Sequence, residues 1–531
     1  MSTKYIPFLF FFVFLMVGLW IAPDYGYSWD EDIQRKHGRV VWDYVHAQLD
    51  IEHERLEPDI TFRDYEYRFH GTLFQLSCLW VQRQLGLTDY RDITLVRHYG
   101  VFLLFFVGSI FFYWTLKFRF RRWQIALLGT AMLILSPRIF ANAFFNIKDL
   151  IILPYYIIAS YTLLRFLANK SWQWALWHGL ACALVINARL MGVWIPCITL
   201  GFYLFDLLRH DRALIGKKLL YFGLFVVSTI SITILLWPYL WERPFQNFID
   251  AFALLSKYNW GGEMRYFNSW INAQDLPWHY ALGWIHISTP LVYLLLFWMG
   301  TFQILRDFFQ QILKGFYKNK SQLYDLVFLA LALGPLLIVM VRESVLYDSW
   351  RHLFFIYPAI IAIAICAFVH LNDWLKNRNT KPLIQALPAS FLSFSMLVTF
   401  VYMLTHHPYQ HTYITLPSDH IETRFDIDYW GVAYQTALRE LIEKDDRDKI
   451  RVRSANYPND ANARMLPKDI RDRIELVWDI RAADYYLTNY RSPTELHRYM
   501  NNLSPLVSEN EFLSIKSWNG RVIGVYRVSR K

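Results

Sequence analysis

The sequence predicts a polytopic α-helical membrane protein of about eleven transmembrane helices, ending in a small α/β domain, and three observations carry that prediction. Hydrophobic residues make up 55% of the 531 and charged residues only 18%, where an ordinary soluble domain carries about 25% charged. The charges are gathered in clusters between long apolar runs, and every alternate cluster is basic. Beyond about residue 405 the composition turns to that of a soluble domain.

The apolar runs extend from Tyr5 to Pro23, Tyr99 to Leu116, Trp123 to Leu135, Leu150 to Leu164, Trp172 to Ile186 and Leu190 to Phe205. They continue from Leu219 to Leu240, Tyr280 to Leu305, Leu326 to Val341, Leu353 to Val369 and Leu383 to Leu404. Most approach the ~20 residues that a hydrocarbon core requires. The third, fourth and fifth are short, which suits spans that are tilted, broken or shared with a loop.

Orientation follows from lysine and arginine, because short basic loops stay on the cytoplasmic side. Lys4 precedes the first run; Lys117, Arg119, Arg121 and Arg122 follow the second, and Lys170 the fourth. Arg209, Arg212, Lys217 and Lys218 follow the sixth; Arg306, Lys314, Lys318 and Lys320 the eighth; Lys376, Arg378 and Lys381 the tenth. The protein is thereby expected in the inner (cytoplasmic) membrane with its N-terminus on the cytoplasmic side and residues 24–98, 239–279 and 406–531 on the outer side. The chain divides into a membrane module, 1–405, and an extracytoplasmic domain, 406–531. This topology accounts for most of the net charge of +10, so nucleic acid is not an expected partner. The first run is too long and bulky for a cleaved signal and lacks a small-residue cleavage pattern after Ala22, so it reads as a retained anchor. None of the four cysteines lies in the C-terminal domain, and no structural disulfide is expected there.

Within the outer segments, Val40 to Val45, Leu73 to Leu85 and residues 245–255 space their apolar residues as amphipathic helices do, the last through Phe245, Phe248, Ile249, Phe252 and Leu255. The C-terminal domain offers a charged helix from about Trp430 to Lys444 and strands at Ile450–Arg453, near Asp484–Leu487 and at Gly524–Val528. At roughly 120 residues it is large enough to bury a core. His406, His407 and His411 cluster after the last run, but Pro408 breaks any helical spacing, which favours packing over a metal site.

Candidate chemistry gathers at the expected outer face. Tyr27-Ser28-Trp29-Asp30-Glu31-Asp32 puts carboxylates just past the first span, where each must be hydrated, paired or ligated. Ser136 to Asp149 joins two short runs and sets Asp149 at the start of a span, with Asn146 placed to cap it. Arg189, in Asn187-Ala188-Arg189-Leu190-Met191-Gly192, and Arg351, in Tyr347-Asp348-Ser349-Trp350-Arg351-His352, stand at the rim. A guanidinium keeps its charge at any working pH and its planar fork suits phosphate, so the two read as a clamp for an anionic lipid headgroup. Arg68 and His70 could add to it.

Taken together, these segments resemble the C-type (GT-C) glycosyltransferases, in the bacterial branch similar to protein O-mannosyltransferases and the lipid A aminoarabinose transferase (glycosyltransferase family 39 and relatives). The resemblance lies in an Asp-Glu pair in the first outer loop, an acidic residue opening the fourth span, many aromatic spans and a C-terminal outer domain. Ser136–Asp149, Trp278-His279-Tyr280 with Thr289-Pro290, Trp350 to Phe355, and His407-Pro408-Tyr409 with Asp428-Tyr429-Trp430-Gly431 also resemble segments of that branch. One departure is Arg68-Phe69-His70-Gly71, where many relatives carry a Lys-Pro-Pro-like segment.

The resemblance implies a GT-C-type fold and a polyprenyl-phosphate sugar as donor, with transfer, inverting at the sugar carbon, to a glycan, lipid or protein acceptor. It implies Asp30 as general base, Glu31 as its motif neighbour and Asp149 as the second acidic position. Arg189 and Arg351, with Lys148 or Arg68, would hold the donor phosphate; His70, Asn146, His352 and Asp348 are further candidates, on the acceptor side or of lower rank. No cofactor is certain, and a divalent metal at Asp30 and Asp149 stays open. A flippase or transporter of a lipid-linked sugar and a surface-polysaccharide polymerase or ligase are the other classes considered; chemistry should need the Asp30 carboxylate, whereas transport should tolerate asparagine.

Overall fold

The computed structural model describes residues 5–209, 215–256, 260–417, 420–491, 507–518 and 520–529. Lys4 and Arg212, counted above among the basic flanks, lie outside the described residues. A helix forms in each apolar run. Among the described residues seven helices are long and apolar enough to cross a membrane: Tyr5–Asp24, Tyr90–Phe120, Ile215–Leu236, Leu291–Lys314, Lys320–Val341, Arg351–Asn377 and Pro382–Thr405. Helices Trp123–Ile134 and Pro137–Phe145 meet at a 68° bend and make an eighth span if counted together. The remaining runs form shorter helices, Ile152–Ala168, Trp172–Ala188 and Leu190–Asp206.

One apolar run is two helices rather than one. Tyr280–Ser288 ends where Thr289 turns extended (φ −112°, ψ 138°), and Leu291–Gln311 starts after Pro290. Proline has no N–H to continue the ladder and pushes the residue before it out of the helical region.

Helix Arg351–Asn377 lies at the centre of the bundle, 89% of its most apolar window being buried. Close packing against it depends on Gly300, where a Cβ would come within 2.3 Å of the Ile363 carbonyl oxygen; small residues let apolar helices approach in this way. The outer helices present large apolar side chains outward, including Phe8, Phe302, Val341 and Leu383, all at least 70% exposed. Such a surface suits hydrocarbon, not water.

The expected amphipathic helices form at Glu31–Gln48, Leu73–Gln84 and Pro244–Ser256. In the C-terminal region a five-stranded sheet runs in the order Ile474–Leu476, Ile450–Ser454, Tyr485–Thr488, Gly520–Val528, Val507–Ser517. Its first three strands are parallel and the last two antiparallel. Helix Tyr434–Lys444 buries Tyr434, Ala437, Leu438, Leu441 and Ile442, one stripe at helical spacing. It begins at Tyr434 and not at Trp430, because residues 428–431 form a turn closed by Gly431 N–H donating to the Asp428 carbonyl (3.1 Å), with Gly431 at φ +70°.

This region grips the first loop. The Asn462 side chain accepts from Tyr27 N–H (2.8 Å) and donates to the Tyr27 carbonyl (3.0 Å), and Trp29 N–H donates to the Trp430 carbonyl (3.1 Å). A Cβ on Gly26 would fall 2.2 Å from the Val432 carbonyl oxygen, so the chain passes there only as glycine. Asp32 accepts from the hydroxyls of Tyr27 (2.6 Å), Tyr90 (3.2 Å) and Tyr457 (2.6 Å).

Beside this contact Asp426 is buried, with Oδ2 accepting from Arg265 N–H (3.1 Å) and Oδ1 without a partner. Burial pushes its carboxyl up to about 7, against the pull of the Arg265 N–H and of Arg491. The unfolded chain therefore releases this proton first, and the group costs stability increasingly as pH rises from about 4 to 7. Asp426→Asn should raise the unfolding midpoint at pH 8, an effect of roughly 2 to 4 kcal/mol, and leave it nearly unchanged at pH 4, as read by thermal unfolding of the detergent-purified protein.

Candidate active site

Asp30 immediately precedes helix Glu31–Gln48, where the partial positive charge of a helix start favours a carboxylate. Its neighbour Glu31 faces elsewhere. Glu31 is fully buried and accepts from Ser28 N–H (2.8 Å) and the Ser28 hydroxyl (3.1 Å), with His98 Nε2 3.2 Å away. It therefore fastens the turn that presents Asp30.

Asp149 is placed by a ladder of amides. Asn142 donates to the Arg138 carbonyl (2.8 Å), Asn146 donates to Asn142 (2.9 Å), and the Asn146 oxygen accepts from Asp149 N–H (2.7 Å). The following helix starts only at Ile152, so Asn146 caps the turn that carries Asp149 and not the helix itself.

Arg351 joins the two carboxylates. Its Nη1 donates to Asp30 Oδ2 (2.8 Å) and Asp149 Oδ2 (3.0 Å), while Nη2 lies 3.3 Å from Asp348 Oδ2. Lys148 Nζ stands 3.2 Å from Asp30 Oδ2, Arg189 pairs with Asp149 Oδ1, and Arg491 donates to Asp348 Oδ1 (2.8 Å). The rings of Tyr347 and Trp430 each lie 4.5 Å from the Arg351 guanidinium, desolvated cation–π contacts that hold its plane.

Burial would raise the Asp30 carboxyl, but Lys148 and Arg351 outweigh it and hold the group below the usual carboxylate range. Lys148 is lowered, since burial together with Arg189 and Arg351 exceeds what Asp30 restores. His70 lies close enough to feel Arg189 and Lys148; burial first, then those cations, push it well below its ordinary value, so it is a neutral imidazole. His352 packs edge-on against Tyr347 (4.5 Å), with Nδ1 buried and unpartnered. Arg68 turns away from the carboxylates, donating to the Tyr65 carbonyl (2.9 Å) and lying over Phe69 (4.4 Å).

The structure thus brings together Asp30, Asp149, Lys148, Arg189, Arg351 and Asp348, with His70 and His352 close by. Sequence reasoning missed Arg491, which sits in no recognisable pattern, and the aromatic cage, although Tyr347 and Trp430 both stood in segments already singled out. The donor set does not fit a divalent ion. Asp30 and Asp149 are each engaged by two cations, and among the described residues no group of three or more His, Cys, Asp or Glu is arranged to hold a metal.

No family model matches the chain, and no curated protein matches it in sequence. Among solved structures it is similar to the apo oligosaccharyltransferase of Archaeoglobus fulgidus (TM-score 0.49, 11% identity), over 91% of this chain and 65% of that one. It therefore spans just under two thirds of that protein's length. It is also similar to ArnT from Cupriavidus metallidurans, both apo (TM-score 0.46, 13% identity) and bound to undecaprenyl phosphate (TM-score 0.46, 12% identity), over 99% of this chain and 98% of each. The likeness is one of overall shape.

Removing Arg351 would leave two buried carboxylates short of a cation, a loss of about 3 to 5 kcal/mol where a buried pair is broken from one side. Arg351→Met should lower the thermal midpoint of the purified protein clearly, and adding Asp149→Asn should recover part of the loss, because one of the uncompensated charges is then gone.

Proposed function

We propose that the protein is a membrane glycosyltransferase that moves a sugar from a polyprenyl-phosphate donor to an acceptor at the face carrying residues 24–98 and the C-terminal domain. The observation that carries this reading is the charge balance of the buried cluster. Four cations, Lys148, Arg189, Arg351 and Arg491, face three carboxylates, Asp30, Asp149 and Asp348. The surplus of one positive charge matches a phosphodiester, which carries one negative charge, and Arg351 and Arg189 offer the planar forks suited to it.

A sugar phosphate already contains its leaving group, so the protein mainly needs to orient the reactants, supply a base and stabilise the departing phosphate. In the resting protein Asp30 is bound by two cations and is a weak base. A donor phosphate arriving at Lys148 and Arg351 competes for those cations, which raises the basicity of Asp30 when donor is present. Asp30 then takes the proton of an acceptor hydroxyl or amine as that atom attacks the sugar carbon from the face opposite the phosphate; the bond to phosphate oxygen breaks, the configuration inverts, and the phosphate leaves with its charge held by Arg351 and Arg189. Asp149 keeps Arg351 and Arg189 in register. This face would lie outside the cytoplasmic membrane by the distribution of basic loops.

In cells lacking the protein, a polyprenyl-phosphate monosaccharide should accumulate in lipid extracts measured by mass spectrometry, and complementation with wild type but not with Asp30→Asn should remove it. An Asp30→Asn protein expressed at wild-type level that restores the normal lipid profile would sink the base assignment and favour transport. With Asp30 ionised below the usual range, kcat/KM of the purified protein should not fall through titration of this group until the pH drops below about 4.

A further inference from the structure

Arg491 lies in the C-terminal region, just past the end of the sheet strand Tyr485–Thr488. Its Nη2 donates to Asp348 Oδ1 (2.8 Å), its Nη1 donates to the Tyr429 carbonyl (2.6 Å), and its guanidinium lies 4.6 Å from the ring centre of Trp29, the residue before Asp30. Asp348 in turn is shared: one oxygen takes Arg491, the other faces Arg351 at 3.3 Å. Asp348 and Ser349 both adopt left-handed backbone conformations (φ +54° and +69°), which are strained outside glycine and persist only where the surroundings fix them. Here Asp348 N–H points to Met264 Sδ (3.1 Å), Ser349 N–H donates to the Tyr280 hydroxyl (3.1 Å), and the Ser349 and Tyr429 hydroxyls are 3.0 Å apart.

From this chain of contacts, and resting on the donor-phosphate reading above, we infer that Arg491 is a positioning residue for the phosphate clamp: it anchors one oxygen of Asp348 so that the other aligns Arg351 between Asp30 and Asp149. The C-terminal region is therefore part of the site and not an appendage to it. Arg491 touches no reacting atom in this scheme. Its effect passes through Asp348, and that makes it separable from a purely structural role, since its contacts to Trp29 and Tyr429 do not involve Asp348.

The test is a double-mutant cycle on the full-length protein in detergent, with undecaprenyl phosphate as probe and tryptophan fluorescence as readout. Arg491→Ala should weaken binding about tenfold in the wild-type background and less than twofold in the Asp348→Asn background. Arg491→Lys, which keeps a cation, should recover part of the loss and serves as the second variant if the alanine protein does not fold. Equal losses in the two backgrounds, or no loss in either, would overturn the inference while leaving the donor reading intact. Wild-type protein that fails to bind undecaprenyl phosphate would overturn both, and that outcome is recognised before any variant is made.

Discussion

A single guanidinium holds two carboxylates that the chain delivers from opposite directions. Asp30 arrives from the first loop, Asp149 from the turn before helix Ile152–Ala168, and Arg351 meets both at the head of the central helix. Buried charges are tolerated only when paired and hydrogen-bonded, so the placement of every neighbouring segment is constrained by that meeting point. The amide ladder from Arg138 to Asp149, the Glu31 fastening of Ser28 and the cage of Tyr347 and Trp430 all serve it. An apolar substitute for the cluster would often be no less stable, so stability alone does not account for its buried charges.

The membrane helices were legible in the sequence because a hydrocarbon core demands long apolar runs and basic loops punctuate them. The break at Thr289-Pro290 was legible in principle, since proline limits its predecessor, yet a continuous apolar run masks it. Asp30, Asp149, Arg189 and Arg351 stood out as charges at run ends. That Arg351 bridges the two carboxylates was not legible, because pairing across more than two hundred residues depends on helix packing and leaves no periodicity behind. Arg68 misled for a related reason: a basic residue near the face was visible, but its turn toward Tyr65 and Phe69 is a local preference of the folded loop.

The first loop and the C-terminal region, separated by most of the chain, meet in one hydrogen-bonded seam. Asn462 reads both backbone groups of Tyr27, and Trp29 is joined to Trp430. Asp32, at the far end of the same acidic cluster, collects three tyrosine hydroxyls. The three consecutive carboxylates at 30–32 thus take three different roles, set by what surrounds each: ion pairs for Asp30, a buried turn for Glu31 and phenolic donors for Asp32.

The left-handed backbone at Asp348 limits what that position can become. Asparagine accepts such a conformation but brings no charge to Arg351 and Arg491; glutamate brings the charge but resists the backbone and carries its oxygens one methylene further out. Aspartate meets both demands at once, its short side chain carrying the charge to both arginines from a backbone that longer side chains resist.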